Sequence, residues 1–343
     1  MGFDIKDVLR HLTSKIGVSG DEYDASAAAA ELLSQYAENV STDAFGNVTG
    51  YISSDRPDAA TLMLDAHIDR IGLVVTYIDD EGFVKAGCCG GVDMKPLLAQ
   101  SVTIHGREDV RGVVCTLPPH VSSDRTKAPE ITDISIDIGM THEQAQSVIS
   151  LGDRITINSC FAELCGSAVS SAALDDRSGV CAVLAALDML DGKAPAYNLA
   201  ICFSAQEETG EQGVKQAAFR IRPDEAIVVD VSFGRTPDSS PKETAELGSG
   251  VMIGFSAALD KGMSHSLRRL AQRCGIAHTI EAMPSSTGTN ADSIAVSCGG
   301  VRCCTLSFPI RYMHTPVETA DIRDIEATAK LICEYALGGT ENA

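Results

Sequence analysis

The sequence predicts an α/β protein interrupted by an all-β insert, and three observations carry that prediction. After Gly166, apolar runs of strand length alternate with amphipathic helical stretches. From about Ile71 to Cys165 the texture changes to short β-prone pieces separated by glycine-rich or proline-rich turns. Histidines and carboxylates then collect where the strands of the alternating part should end, the edge at which open α/β sheets form their sites.

At 343 residues the chain exceeds the roughly 250 residues at which single domains stop growing. Hydrophobic residues make up 44% and charged residues 22%, as in an ordinary soluble globular protein. The formal net charge of -20, from 47 acidic and 27 basic residues, repels phosphate backbones and anionic membranes, so no nucleic-acid partner is expected. Met1-Gly2-Phe3-Asp4-Ile5-Lys6 has neither the basic-then-apolar pattern of a leader nor a myristoylation signal, and no apolar run approaches the ~20 residues needed to cross a bilayer. Of the 12 cysteines, Cys88-Cys89 and Cys303-Cys304 are adjacent, and Cys181 and Cys202 sit in apolar runs. Reduced thiols in a cytoplasmic protein are the expectation, and the sequon Asn47-Val48-Thr49 carries no weight there.

Taken in order, residues 4–39 read as helical. Ile5, Val8, Leu9 and Leu12 share a face, and a second run from Ala25 to Tyr36 follows Gly20-Asp21-Glu22. Two β-prone runs around Phe45-Gly46-Asn47 predict a hairpin, and Thr61 to His67 a strand. The insert contributes strands at Leu73–Ile78, Phe83–Lys85, Ser101–His105, Val113–Thr116, Ile134–Ile138 and Arg154–Ile157, with one helical piece near His142 to Ile149. Beyond it, Val180, Val183, Leu184, Leu187 and Leu190 make one face of a helix over Ala172 to Leu190. Strands are then expected at 199–204, 226–231 and 304–308, and helices around Gln212–Phe219, Ser264–Cys274, Asn290–Ser297 and Asp324–Leu337.

The chemistry gathers at the strand ends. The apolar strand Leu199 to Phe203 runs into Gln206-Glu207-Glu208-Thr209-Gly210, where neighbouring side chains diverge, so that one carboxylate can bind a metal while the other faces a reacting water. His67 and Asp69 close another strand, Asp230 a third, and Arg311 leads to His314 after a fourth; Asp175 and Asp176 open a helix. Taken singly, each has an ordinary explanation: Asp175 a cap, Asp230 a turn, His314 a loop histidine before Pro316. Together at one edge of one sheet they point to a metal. Imidazole nitrogen with carboxylate oxygen suits zinc, cobalt or manganese. Two histidines and three carboxylates with one shared would suit two ions about 3.5–4 Å apart, leaving Glu207 free to take a proton from water.

The motifs resemble those of the tetrahedral-assembly aminopeptidases, metallopeptidase family 42, nearly end to end. They are Gly17-Val18-Ser19-Gly20, Asp43 to Val48, Asp65 to Gly72, Gly90-Gly91-Val92-Asp93, Asp137-Ile138-Gly139 and Ala173 to Gly179. The run continues with Gln206 to Gly210, Asp230-Val231-Ser232, Gly288-Thr289-Asn290-Ala291 and Arg311 to Glu318. The resemblance implies a mixed-sheet dinuclear-metal aminopeptidase domain from residues 1–69 and 166–343, with residues 70–165 as an inserted β-rich dimerisation domain. It implies that Asp175 bridges two divalent ions, that Glu208 and His314 complete one site, and that His67 and Asp230 complete the other. Asp69 would orient His67, and Glu207 would act as general base and then general acid. Dimers would assemble into hollow dodecamers that admit short or unfolded peptides.

Two positions depart from the pattern: Arg70 stands where glutamate is usual, and Asn290 where aspartate is common. Arg70, next to the inferred ligands, could reverse local charge, alter substrate preference or point outward, and Asn290 could alter a pocket wall. Arg70 and Arg311 make acidic substrate side chains conceivable, with hydrophobic ones equally open. A glycoside hydrolase using the paired carboxylates is an alternative, although it needs no histidines and sugar-binding aromatics are scarce, with no tryptophan. A non-catalytic assembly protein on the same fold is a third reading. His142-Glu143-Gln144-Ala145-Gln146 lacks the second histidine of a zincin helix, Gly248-Ser249-Gly250 lacks the third glycine of a dinucleotide loop, and no serine-hydrolase elbow occurs. His120, after Pro118-Pro119, reads as a turn residue.

Overall fold

The apolar runs of the alternating part form the centre of one mixed sheet. The computed structural model describes residues 2–116, 129–237 and 239–339. The strands Asn198–Ser204, Thr61–His67, Glu225–Phe233 and Arg302–Arg311 lie side by side and parallel. Such strands are covered on both faces, which is why Leu199 to Phe203 and Ala226 to Val229 can be apolar without alternation. Leu62 and Leu64 enter the larger core with helices Ile5–Thr13, Tyr23–Leu33, Leu174–Leu190, Lys261–Cys274 and Ile322–Ala336. Met63 points the other way, into a smaller core under helices Gln212–Ile221 and Ala291–Ala295. Antiparallel strands finish the sheet: Val48–Ile52 and Glu38–Thr42 at one edge, and Glu318–Asp321, Ala168–Ser171 and Ala162–Glu163 at the other.

The β-rich insert is a closed barrel. Its strands run in the order Gly72–Ile78, Val84–Cys89, Ser135–Asp137, Asp109–Cys115, Ser101–His105 and Arg154–Ile157, around a separate core that includes Leu73, Val84, Ile104, Ile136 and Ile155. Closure leaves no unpaired edge. No helix among the described residues is long and apolar enough to cross a membrane, and all twelve cysteines are unpaired.

Several boundaries differ from expectation. The expected hairpin around Phe45-Gly46-Asn47 is present, Glu38–Thr42 pairing with Val48–Ile52 around the turn at Asp43, but its first strand begins at Glu38, inside the stretch 4–39 that reads as helical. The helices expected from Ser264 and Asp324 begin at Lys261 and Ile322, because the Asp260 and Asp321 carboxylates accept the amides of Met263 and Arg323. Strands Val251–Ser256, His278–Met283 and Glu318–Asp321 had no counterpart in the sequence reading. They are short outer strands whose pairing is set by long-range contacts rather than by a strong local pattern.

Arg177 ties these layers together. It is fully buried on helix Leu174–Leu190, where its Nη1 donates to the carbonyls of Leu12 (2.7 Å) and Lys15 (2.6 Å) and its Nε to that of Ile68 (3.2 Å). Replacing it by methionine keeps the bulk and strands two buried acceptors and a third that is partly buried, each worth about 1–3 kcal/mol. Arg177→Met is therefore expected to lose at least about 3 kcal/mol in chemical denaturation. A loss below about 1 kcal/mol would show that those carbonyls find other partners.

Candidate metal centre

Strand register brings the distant residues together. Ser204 pairs with His67 and Val228 with Asp65, so the next step along places Asp230 beside His67. The turn after Ser204 carries Glu207 and Glu208, and the segment after Arg302–Arg311 returns with His314. Asp175 enters from the first turn of helix Leu174–Leu190, in a non-helical conformation preceded by Ala173 at φ 61°. It is not the helix cap; Asp176 fills that role by accepting the Gly179 amide at 3.1 Å.

Two triads result, His67 with Asp175 and Asp230, and Asp175 with Glu208 and His314. His67 Nε2 lies 3.0 Å from Asp175 Oδ1 and 3.9 Å from Asp230 Oδ1, while His314 Nε2 lies 3.3 Å from Asp175 Oδ2 and 3.4 Å from Glu208 Oε2. Donors about 2.0–2.2 Å from a tetrahedral ion sit roughly 3.3 Å apart, so this spacing fits a small divalent cation in each triad. Glu208 Oε1 is buried with no hydrogen-bond partner, a lone pair that an ion would engage. Glu207 lines the same cavity but belongs to neither triad.

Neighbouring groups hold these side chains. Asp69 Oδ1 accepts the Glu207 amide at 3.0 Å and Oδ2 the Glu208 amide at 3.2 Å. Its backbone carbonyl lies 3.1 Å from His67 Nδ1, leaving Nε2 toward the triad. Asp69 thus braces the paired glutamates as well as His67. Glu318, quoted in the sequence only as the end of a motif, accepts the amides of Asp175 (3.1 Å) and His314 (3.0 Å) through its two oxygens. The carbonyl of Gly91 faces His314 Nδ1 at 2.9 Å.

Electrostatics report a cluster short of positive charge. Burial pushes the carboxyls of Glu208 and Asp230 well above the ordinary carboxylate range and Glu207 to about 7. Glu318 is raised to about 8 by burial. Burial would raise Asp175 too, but hydrogen bonds from His314 and His67 overcome it and hold that carboxyl low. His314 is raised to about 9 by its bond to Asp175; His67 rises well above its usual value because Asp175 and Asp69 outweigh its burial. In the absence of cations, protons fill the places that bound cations would take.

Of the two departures, Arg70 lies beside the site and does not point outward, whereas Asn290 is displaced from the expected pocket wall. Arg70 is buried, its Nε without a partner, near the charges of Glu318 and Glu208. Asn290 lies beneath the strand rather than in a pocket wall, donating to Asp65 Oδ2 and Ser204 Oγ at 2.8 Å each. Asp65, a buried acid that sequence reasoning passed over as part of an apolar strand, is raised to about 6 by burial. The Gly248 and Gly250 amides serve the Asp324 carboxylate, and His142 Nδ1 faces the Asp79 carbonyl at 2.7 Å. His120 lies outside the described residues.

A cavity of about 1000 Å³ opens over the triads, large enough for more than one amino-acid side chain. Residues 46–331 match the model of the M42 glutamyl aminopeptidase family. A lysyl aminopeptidase of Pyrococcus furiosus is 32% identical over 336 residues, covering 95% of this chain and 94% of that one. An aminopeptidase from the archaeon Desulfurococcus kamchatkensis superposes with a TM-score of 0.92 at 31% identity, over 97% of this chain and 94% of its own. The TET1 peptidase of Pyrococcus horikoshii, which can assemble into a tetrahedron or a large octahedral shell, does so with a TM-score of 0.85 at 28% identity, over 97% and 99% of the two chains.

If Glu318 positions Asp175 and His314 through their amides, Glu318→Ala should weaken retention of divalent metal about 10–100-fold. Competition against a chelating dye measures this directly; unchanged affinity would remove Glu318 from the account of the site.

Proposed function

The chain belongs to the M42 glutamyl aminopeptidase family, and on that premise we propose that it releases N-terminal residues from short peptides, with Glu207 moving the protons. What supports this reading most is that two potential ligand triads share Asp175 while an unliganded glutamate faces the same cavity. His67, Asp175 and Asp230 would hold one divalent cation, and Asp175, Glu208 and His314 the other, with zinc, cobalt or manganese suited to the donors. When bound, such ions supply Lewis-acid polarisation of the scissile carbonyl and acidify water.

The residues of the chain do the rest. Burial, with the charges of Asp69, Asp175 and Glu211 acting against that of His67, raises Glu207 to about 7, and nearby cations would pull it lower, leaving a carboxylate ready to accept the proton of the attacking water. Protonated Glu207 then returns that proton to the departing amine. Asp69 holds the Glu207 backbone by its amide, so the carboxylate does not drift from the reacting centre. The anionic rim of Glu207, Glu208 and Asp230 also suits the α-ammonium of a free N-terminus, which a blocked peptide lacks.

The β-rich barrel within residues 70–165 is the unit through which two chains would pair, with dimers building a dodecamer like the shells of the TET relatives. Free thiols throughout suit a cytoplasmic location. A glycosidase would leave His67 and His314 without a task, and the family does not favour it. A purely structural role would leave the whole set of donors and Glu207 unexplained.

Three measurements decide the matter. Short peptides with free N-termini should be shortened, acetylated ones spared, and activity should vanish in chelator and return with cobalt, zinc or manganese. Glu207→Gln should lower kcat by at least about 100-fold while metal content stays at two ions per chain. Turnover surviving in that variant rules out the general-base role; turnover in metal-stripped protein rules out the cations.

A further inference from the structure

Beyond the triads, one wall of the cavity is made by strands Val251–Ser256 and His278–Met283. Register carries Asp230 across to Ser307, Ser307 to Met252, and Met252 to Thr279. Glu281 stands two residues beyond Thr279 and Ser232 two beyond Asp230, each on the same face as its predecessor, but Val251–Ser256 runs antiparallel to Arg302–Arg311, so the two steps run in opposite directions. The Ser232 hydroxyl donates to Glu281 Oε1. That hydrogen bond, rather than strand register, brings a carboxylate rooted three strands away to Ser232, two positions beyond Asp230. Two residues of strand span about 6.7 Å, close to the reach of an extended lysine, roughly 6 Å from Cα to Nζ at standard bond lengths.

Polar atoms at this end of the cavity lack partners. Arg235 Nε, Ser249 Oγ, Thr279 Oγ1 and Glu281 Oε2 are all buried without a hydrogen bond, and all four residues line the cavity. The guanidinium of Arg235 is already engaged, with Nη1 3.0 Å from Glu246 Oε1 and Nη2 donating to the Pro241 carbonyl. No lysine or arginine among the described residues forms an ion pair with Glu281. Arg70 and Arg311, the residues that left acidic substrates open, do not line the cavity; Arg311 Nε donates to the Arg235 carbonyl. A buried carboxylate without a cation is costly, and a guest ammonium would relieve it.

We propose that Glu281 reads the side chain of the substrate's first residue and selects a cationic one, lysine or arginine, over neutral and acidic ones. The proposal rests on the aminopeptidase reading of the same site. With the α-amine near the triads, the side chain extends along the Asp230 strand toward Ser232, and its cation meets the free Glu281 oxygen. Burial raises the Glu281 carboxyl while hydrogen bonds from Ser232 and Ser307 oppose it, and an arriving cation shifts the balance to the ionised form.

Norleucine is the lysine side chain without its ammonium, so the pair isolates the charge. On metal-reconstituted protein, kcat/KM for lysyl-nitroanilide should exceed that for norleucyl-nitroanilide about 10–100-fold. Glu281→Gln should bring the ratio toward unity, chiefly through KM. Preference for norleucyl, leucyl or glutamyl substrates overturns the proposal. Calorimetric titration with free L-lysine and L-norleucine reads the same discrimination without turnover. If no nitroanilide is cleaved, the aminopeptidase reading fails, while equal binding of the two amino acids still defeats the role of Glu281. Should Glu281→Gln not fold, the wild-type ratio decides, with Ser232→Ala, which frees the Glu281 side chain from its anchor, as the second variant.

Discussion

Asp65, Asp69, Asp175, Asp176, Asp230 and Glu318 are all buried around one end of the central sheet. Burying a carboxylate is costly unless hydrogen bonds or a cation replace its water. The remainder of the site is organised around meeting that requirement, and it does so in two ways. Asp69, Asp176 and Glu318 accept backbone amides, and Asp65 accepts from Asn290. Asp175 and Asp230 instead face His67, and Asp175 also faces His314, although Asp230 Oδ1 takes the Val231 amide at 2.7 Å as well. The difference separates scaffold from chemistry: acids whose oxygens are taken up by hydrogen-bond donors fix the geometry, whereas acids that face imidazole keep lone pairs that an ion can use.

The nearby arginines do not fill that need. Arg177 spends its donors on three backbone carbonyls and acts as a tie between layers. Arg70 approaches Glu318 and Glu208 as a charge. Neither guanidinium is hydrogen-bonded to Asp175 or Asp230, so neither competes for the lone pairs that face the histidines. Arg70 thus softens local repulsion without removing a donor from either triad. The same reasoning covers Asn290. An aspartate there would bring a second acid against Asp65, whereas the amide supplies the donor that Asp65 lacks.

Those features that were legible in the sequence share one property: strong local signal. The central strands announce themselves by apolar runs, the barrel by short β pieces between turns, and His67, Asp175, Glu207, Glu208, Asp230 and His314 by their places at strand or helix ends. The structure brings all six around one cavity. Less visible was whatever depends on pairing across the sheet. The strand His278–Met283 alternates in exposure without being strongly apolar, and it carries Glu281 to Ser232, far away in sequence. Glu318 was visible as a motif residue, but its function as a double acceptor for Asp175 and His314 emerges only once two remote backbones meet. Asp65 hid inside an apolar strand because a buried acid there makes sense only opposite Asn290.

The insert and the site are physically continuous, and glycine explains how. Gly90 and Gly91 follow the strand Val84–Cys89 of the barrel and pass directly over the second triad. A Cβ on Gly91 would lie 2.9 Å from His314 Nδ1, and one on Gly90, whose φ is +81°, would lie 2.8 Å from Ile71 Cγ2 and 3.1 Å from Glu208 Oε2. Only bare backbone can approach so closely, and the approach puts the Gly91 carbonyl where it faces His314 Nδ1. That contact favours the tautomer with the proton on Nδ1, leaving Nε2 directed at Asp175 and Glu208. The barrel is therefore more than an appendage to the sheet. It supplies a backbone group that orients one of the two histidines, so any shift of the barrel against the sheet is felt at the triad itself.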